Sequence, residues 1–503
     1  MRTLYRAGRV HTLSHPAAGE WVLVDERHVE RVGAGDPPDA DRVVDLPGTT
    51  ILPGFVDAHV HLTGTGIHET GPPIDGARSA AELLEMLRGV AAQQDRPLLV
   101  HGFDETTWER PELPTVDDVN EVSPEPVIAV RADGHLCLAN RAAIDAAGVA
   151  DLPGFERDPD GLPTGVLRRD ANWAIQRWYH EQLGDHQVQE LQLQAASLAA
   201  SRGVTSVHEM AVPTSRGPRD FEVLMGHRTQ LPVDVVPFVA SMEIPYVMDF
   251  GLPRIGGDLS LDGSIGARTA HLRAPYSDGE GAGVGYLDGE DLTEFFHNAH
   301  LAGLQVAVHA IGDAAIEQGL SCWDRVYGAL DSRGRRHFRA RRHRIEHFEM
   351  PTPAQVERAA NLGLAISVQP GFDAAWGQPG AMYEQRLGLD RASRMNPFRT
   401  LLARGMALGA GSDAPVTPLD PMAGIAAAER HHEAFERLGR DEAIRLFTRG
   451  GSLIANLEDK KGTLEPGMQA DFAAYDDDPF DVESVEGLRP VLTVSLGREV
   501  YAR

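Results

Sequence analysis

Five residues of this chain have the types and spacing that bind a divalent cation: His59, His61, His309, His347 and Asp413. His59 and His61 close an apolar run that begins near Thr49. Side chains alternate faces along a strand, so positions i and i+2 project together from one strand end. Two imidazoles on one face can grip one metal ion. Downstream, His309 ends the run 304–308, His347 follows Arg344-Ile345-Glu346, and Asp413 follows Gly411-Ser412 after the run 406–410. Taken singly, each has an ordinary explanation: a hydrogen-bonded structural histidine, or an aspartate capping a helix. Five such residues at the same end of a set of strands favour a metal site. Imidazole and carboxylate together suit a borderline cation such as zinc. Such an ion lowers the pKa of bound water to about 7 and polarises a carbonyl. A carboxylate beside that water can take its proton and pass it to a leaving nitrogen, a role assigned to Asp413.

The elements that must position these residues follow from hydrophobic patterning. Short runs rich in Val or Ile predict strands at 51–60, 204–209, 233–240, 256–262, 304–309, 342–348, 364–369 and 406–411. Amphipathic stretches at 187–202, 290–302 and 353–362 predict helices between them. Eight β units separated by helices imply an α/β fold with a (β/α)8 TIM-like barrel, in which the site sits at the C-terminal strand ends. An open doubly wound sheet is the competing architecture; polar residues at the strand ends favour the closed form.

Residues 1–52 and 456–503 read as short strands with turns, including a turn at 14–19. Neither end can build a core alone, so both are expected to form one small β-sandwich domain beside a barrel spanning 53–455. The segment 63–203 is too long for one helix and predicts an insertion with strands near 97–100 and 127–130. Its polar loops, 101–108 and 131–135, suit a lid over the barrel mouth; the alternative is that they only cap the insertion.

Composition narrows the function. The chain has 503 residues, 42% hydrophobic and 24% charged, enough for a large core. A net charge of −27 argues against nucleic acid or an anionic membrane as partner. Two cysteines, Cys137 and Cys322, cannot make a disulfide framework, so a reducing cytoplasm is expected. The N-terminus has no apolar core of signal-peptide length, and no apolar run is long enough to span a membrane. Lysine occurs only at Lys460 and Lys461.

The run Phe55-Val56-Asp57-Ala58-His59-Val60-His61, the His309 and His347 strand ends, Gly411-Ser412-Asp413 and the tail 462–471 resemble the metal-dependent amidohydrolase superfamily. Four finer stretches, 203–208, 261–270, 309–313 and 344–347, resemble its YtcJ-like branch, amidohydrolase family 3, which includes N-substituted formamide deformylase. The resemblance implies a barrel with a β-sandwich, possession of one or two divalent ions, and a homodimer. It implies that His59 and His61 bind the more buried ion with Asp413, and that His309 and His347 bind a second. Many relatives bridge two ions with a carboxylated lysine on the fourth strand. Here the matching position is Asp258, and no lysine exists in the barrel segment, so a carbamate bridge is excluded. Either Asp258 bridges two ions through its two oxygens, or the shorter side chain leaves a single-ion site.

Hydrolysis of an amide-type, non-peptide carbon–nitrogen bond in a small molecule is the leading functional expectation. Deamination and cyclic-amide hydrolysis are the enzymatic alternatives. The third residue after His309 is Gly312, where the deaminases of the superfamily carry a glutamate, which counts against the former. A metal-binding barrel without catalysis is the remaining class. Substrate-binding candidates are His135, His208, Arg268, Tyr276 and Gln369, with Glu209 nearby; Asp262 is expected to fix its glycine-rich turn.

Overall fold

Alternating Val-rich runs and capped amphipathic helices fold as a TIM-barrel-like α/β unit. The computed structural model describes residues 1–15, 17–93 and 96–503. Eight central strands, numbered here in chain order, are β1 Phe55–Val60, β2 Val204–Ala211, β3 Asp234–Val239, β4 Arg254–Ser260, β5 Gln305–Ala310, β6 Arg344–His347, β7 Ala365–Val368 and β8 Ala407–Ala410. They pair in parallel as β3-β2-β1 and as β4-β5-β6-β7-β8. A parallel bridge between Val60 and Ala414 joins β1 to the chain leaving β8. Gly257 of β4 packs so closely on Phe238 of β3 that a side chain there would overlap it.

The connecting helices are stopped by local chemistry. The helix Pro353–Leu362 starts with a Thr352/Gln355 capping box and a proline in its first turn, and ends at Gly363 with φ +72°. The helix Gly289–Leu301 starts at Asp288, whose carboxylate accepts from the Glu290 and Asp291 amides. Helices and strands bury a shared core in which Phe296 stacks on Trp323 at 3.8 Å.

The expected first strand, 51–60, is two strands. Arg42–Pro53 belongs to the terminal sheet and Phe55–Val60 to the barrel. The break falls at Gly54, where a Cβ would lie 2.3 Å from the Thr205 side chain. The terminal strands form one continuous seven-stranded sheet, in the order Arg498–Ala502, Pro490–Ser495, Phe472–Tyr475, Arg42–Pro53, Arg2–His11, Ala18–Asp25, His28–Gly33. The 12-residue strand Arg42–Pro53 pairs with strands from both termini, and a bridge between His28 and Gln469 brings the far edge of the sheet back against the chain leading into Phe472–Tyr475. Tyr5, Val22, Phe472 and Val494 pack on one of its faces, while Ala473 and Tyr475 join the barrel core. Of the turn expected at 14–19, Pro16 lies outside the described residues.

Between β1 and β2 the chain builds a second five-stranded sheet, with Leu98–Phe103 and Val127–Arg131 as parallel neighbours. Its polar loops do contact the barrel. Buried Arg131 donates to Asp104 at 2.6 Å, Glu105 at 2.7 Å and Asp133 at 2.6 Å. From the barrel side, Arg386 donates to Glu105, Trp376 to Asp104 and Ser264 to Asp133. Among the described residues, no helix is long and apolar enough to cross a membrane.

Candidate metal centre

The C-terminal ends of β1, β4, β6 and β8 converge on one buried cluster. His59 and His61 leave β1 on one face. Asp57 steadies that end: its carboxylate accepts from the His59 amide at 3.2 Å and the Ser412 amide at 2.9 Å. Two further backbone bonds, Asp413 N to His59 O at 2.8 Å and His61 N to Ala414 O at 2.9 Å, place Asp413 beside the two histidines.

Asp413 Oδ1 lies 3.4 Å from His59 Nε2 and 3.2 Å from His61 Nε2. Asp258 reaches three imidazoles: His61 Nε2 at 3.1 Å, His59 Nε2 at 3.4 Å and His347 Nε2 at 3.6 Å. The backbone makes that reach possible. Between Gly256 and Ser260, β4 carries two more residues than β5 carries between Ala307 and His309, and Gly256 and Gly257 have φ of +89° and +84°. A bulge of this kind bends the strand and re-aims a side chain. Aspartate, though short, therefore stands inside the donor cluster.

His59 Nε2, His347 Nε2, Asp258 Oδ1 and Asp413 Oδ1 are buried without a hydrogen-bond partner among the described residues. Such atoms are costly unless a partner satisfies them. Two groupings bring three donors together, His59/His61/Asp413 and His59/Asp258/His347. Electrostatics agree. Burial disfavours protonated rings, yet Asp413 and Asp258 hold His59 well above the ordinary imidazole range, and Asp258 and Asp413 raise His61 to about 9. Burial likewise opposes ionised carboxylates, yet the neighbouring histidines hold Asp258 far below its usual value and Asp413 below. A pair of ionised carboxylates ringed by imidazoles calls for positive charge at its centre, which a divalent cation supplies.

A second layer sets the tautomers. Glu346 Oε2 lies 3.0 Å from His59 Nδ1, the Met210 carbonyl 2.8 Å from His61 Nδ1, and Gln369 Oε1 2.8 Å from His347 Nδ1. Each partner engages Nδ1 and leaves Nε2 facing the cluster, the usual support of ligating histidines. Glu346 is held in turn by two bonds from buried Arg344, at 2.8 and 2.7 Å.

His309 stands apart from the expectation that it joins the tight donor set. Its ring lies 4.5 Å from His347 and 5.3 Å from His135, its Nδ1 faces Asp262 at 3.4 Å, and it belongs to neither grouping. Asp258 draws the cluster toward β1 and β6 instead. Asp262 accepts from the Ile311 and Gly312 amides just after β5 and from the His271 amide, so it ties its strand end to the neighbouring strand as well as to its own turn.

Of the five substrate-binding candidates, His135 lines the cavity above the cluster. The other four are corrected. His208 is buried against Arg344, whose Nη1 donates to its Nδ1 at 3.0 Å. Arg268 pairs with Asp278. Tyr276 donates to the Ala270 carbonyl. Gln369 serves His347 from behind. Period-2 spacing and polarity cannot tell a side chain facing the cavity from one facing the next strand. Glu209 is also behind the wall, accepting from the Leu62 amide, and burial lifts it to about 7.

Sequence reasoning missed the cavity residues Arg216, His180 and Glu349, while His101 lines the cavity from the start of the expected lid loop 101–108. It also missed Glu346, although Arg344 and Glu346 are i and i+2 on one strand. A third donor grouping, Asp373/His431/His432, is closed: the two rings face the Asn396 and Ala392 carbonyls. Lys461 packs against Asp234, at the opposite end of the barrel from the cluster.

Comparison with known proteins gives a consistent result. A family model described as amidohydrolase family matches residues 42–501. The chain is 29% identical, over the full length of both, to a Bacillus subtilis protein named as an amidohydrolase, YtcJ. It is 25% identical to N-substituted formamide deformylase of Arthrobacter pascens over 89% of this chain and 87% of that one. Among solved structures, an uncharacterized metal-dependent hydrolase from Pyrococcus furiosus superposes with a TM-score of 0.74 at 26% identity, covering 96% of this chain and 100% of that one.

Proposed function

The chain belongs to the amidohydrolase family and is a hydrolase of carbon–nitrogen bonds, and on that premise we propose that its substrate is a small molecule cleaved at an amide-type, non-peptide bond. The observation that carries this reading is the convergence of four buried donor atoms, from His59, His347, Asp258 and Asp413, that have no hydrogen-bond partner among the described residues, with His347, Asp258 and Asp413 lining a cavity. When bound there, a divalent cation, zinc by its donor chemistry, supplies Lewis acidity and lowers the pKa of water.

The chain's own residues do the rest. His59, His61 and Asp413 would hold a first ion and His347 a second, with the His309 ring 4.5 Å from His347 and Asp258 within reach of His59, His61 and His347. Glu346 and Gln369 fix the ligand rings. Asp413, with Oδ2 turned toward His347 at 4.0 Å, takes a proton from water and delivers it to the leaving nitrogen. We assign residues 1–52 with 456–503 as the accessory β domain, and 53–455 as the catalytic barrel with its 63–203 insertion as roof.

The test is Asp413→Asn. It keeps an oxygen ligand and removes the proton carrier, so kcat should fall about 10²–10⁴-fold with metal retained. Unchanged turnover in a metal-replete variant would refute the assignment.

A further inference from the structure

One wall of the cavity carries an arginine that no side chain of the described residues hydrogen-bonds, although the buried carboxylates of Glu209 and Asp220 feel its charge. Arg216 ends the short helix Pro213–Arg216, which follows β2 directly. Its side chain lines the cavity, and its Nη1 is buried without a hydrogen-bond partner among the described residues. The nearby carboxylates are engaged elsewhere: Glu209 accepts from the Leu62 amide at 2.7 Å and Asp220 from the Thr63 hydroxyl at 2.6 Å. Two imidazoles of the insertion line the same cavity, His101 from the strand Leu98–Phe103 and His180 from the helix Arg169–Glu181. Each has a buried Nδ1 with no hydrogen-bond partner among the described residues. Burial drives both down to about 3, helped at His101 by His68 and then Arg216 and at His180 by Arg216, so they are neutral and able to donate.

Beside His347 the lining is aromatic, except for buried Glu349, which accepts from the Tyr383 hydroxyl. Phe372 and Trp376 follow β7, and Phe372 lies parallel to the His347 ring at 5.8 Å. The metal-ligand cluster sits between the two walls, with His61 on the Arg216 side and His347 on the Phe372 side.

We propose that Arg216, with His101 and His180, binds a carboxylate on the substrate, so that the amide cleaved is amphipathic: a carboxylate at one end, an apolar group at the other, and the scissile bond between. An unpaired buried guanidinium N–H is a destabilising feature unless a ligand satisfies it, and guanidinium with carboxylate is its strongest common pairing. One cation backed by neutral imidazoles matches a single negative charge; a phosphate dianion would lack a second cation. The chemistry rests on the amidohydrolase reading: water adds across the C–N bond, the acyl carbon leaves as a carboxylic acid and the nitrogen as an amine. The substrate's own carboxylate is unchanged.

Two matched probe pairs test this with zinc-loaded enzyme: octanoylglycine against N-methyloctanamide, and glutaranilic acid against valeranilide. The pairs place the carboxylate on the amine or the acyl half. For at least one pair, kcat/KM for the charged member should exceed that of the neutral one about 10–100-fold. R216Q should abolish that preference through KM, and R216K should retain part of it. Calorimetry on metal-stripped protein gives an independent readout: octanoylglycine should bind wild type at least about 10-fold tighter than R216Q. Equal handling of charged and neutral members, or a preference that R216Q keeps, overturns the carboxylate site and leaves the amidohydrolase reading standing. If no probe is hydrolysed but Arg216-dependent binding persists, the carboxylate site stands and the amide reading falls.

Discussion

Asp258→Ala separates a two-ion centre from a one-ion centre. Asp258 offers Oδ2 toward His61 and Oδ1 toward His59 and His347, so its two oxygens serve both donor groupings. The grouping around His59, His61 and Asp413 keeps three donors when Asp258 is lost. The grouping around His347 loses its carboxylate and falls back on imidazole alone. A four-ligand zinc site binds with roughly 10–16 kcal/mol, or about 3 kcal/mol per ligand. Loss of one ligand then weakens an ion more than about 100-fold. The penalty is unequal, because the first ion retains most of its shell and the second does not. Dialysed wild-type enzyme should carry about two equivalents of zinc and the variant about one, with the remaining ion still tight. Elemental analysis and competition with a chromophoric chelator measure both quantities. About one equivalent in wild type, unchanged in Asp258→Ala, would refute the bridging role and leave the β4 bulge without a metal function.

Three further outcomes follow from the same structure. Glu346→Gln should weaken zinc binding about 10–100-fold by loosening His59, read by the same chelator competition; unchanged affinity would show that Glu346 serves only Arg344. Arg131→Ala strips the counter-ion from Asp104, Glu105 and Asp133 and should destabilise the protein by about 3–5 kcal/mol, measured by denaturant unfolding. A loss below about 1 kcal/mol would mean that these carboxylates find water instead. His180, held down to about 3 by burial and then Arg216, stays neutral when folded but takes up a proton when unfolded. Its contribution is complete above pH 6.5 and is lost as pH falls from 6.5 toward 3. At pH 5 that loss is about 2 kcal/mol. His101, near 3, and His135, near 4, act in the same direction. Glu209 and Glu349, lifted to about 7 by burial, act the opposite way over the same range, so the ring is isolated by comparison. Wild type should lose about 2 kcal/mol of stability relative to His180→Gln between pH 7 and pH 5, and an unchanged difference would contradict the neutral, buried state of His180.

The sequence by itself determined the strand and helix alternation, because apolar period and capping residues are local properties. It showed that His59 and His61 share a face, since that needs only a regular strand. It excluded a lysine carbamate, because the barrel segment has no lysine. It named Asp258 as the residue in that place. What it could not decide was orientation wherever the backbone leaves regular geometry. On a plain strand Glu346 and His347 would face opposite ways. His347 has φ +69°, and that left-handed turn lets both approach His59. Asp413, at φ +56°, is also aimed by an unfavourable backbone that packing must enforce. Asp258 reaches the cluster only because β4 bulges at Gly256-Gly257, a dipeptide whose meaning in a strand is visible only once the neighbouring register is known. Gln369 and His208 turned out to stand behind the ligands, and Arg216 in front of them, because facing depends on strands brought together from distant parts of the chain. Residue types and spacing named most of the residues proposed to hold the metal; long-range packing decided which atoms meet, and left Arg216 Nη1 in the cavity without a hydrogen-bond partner among the described residues.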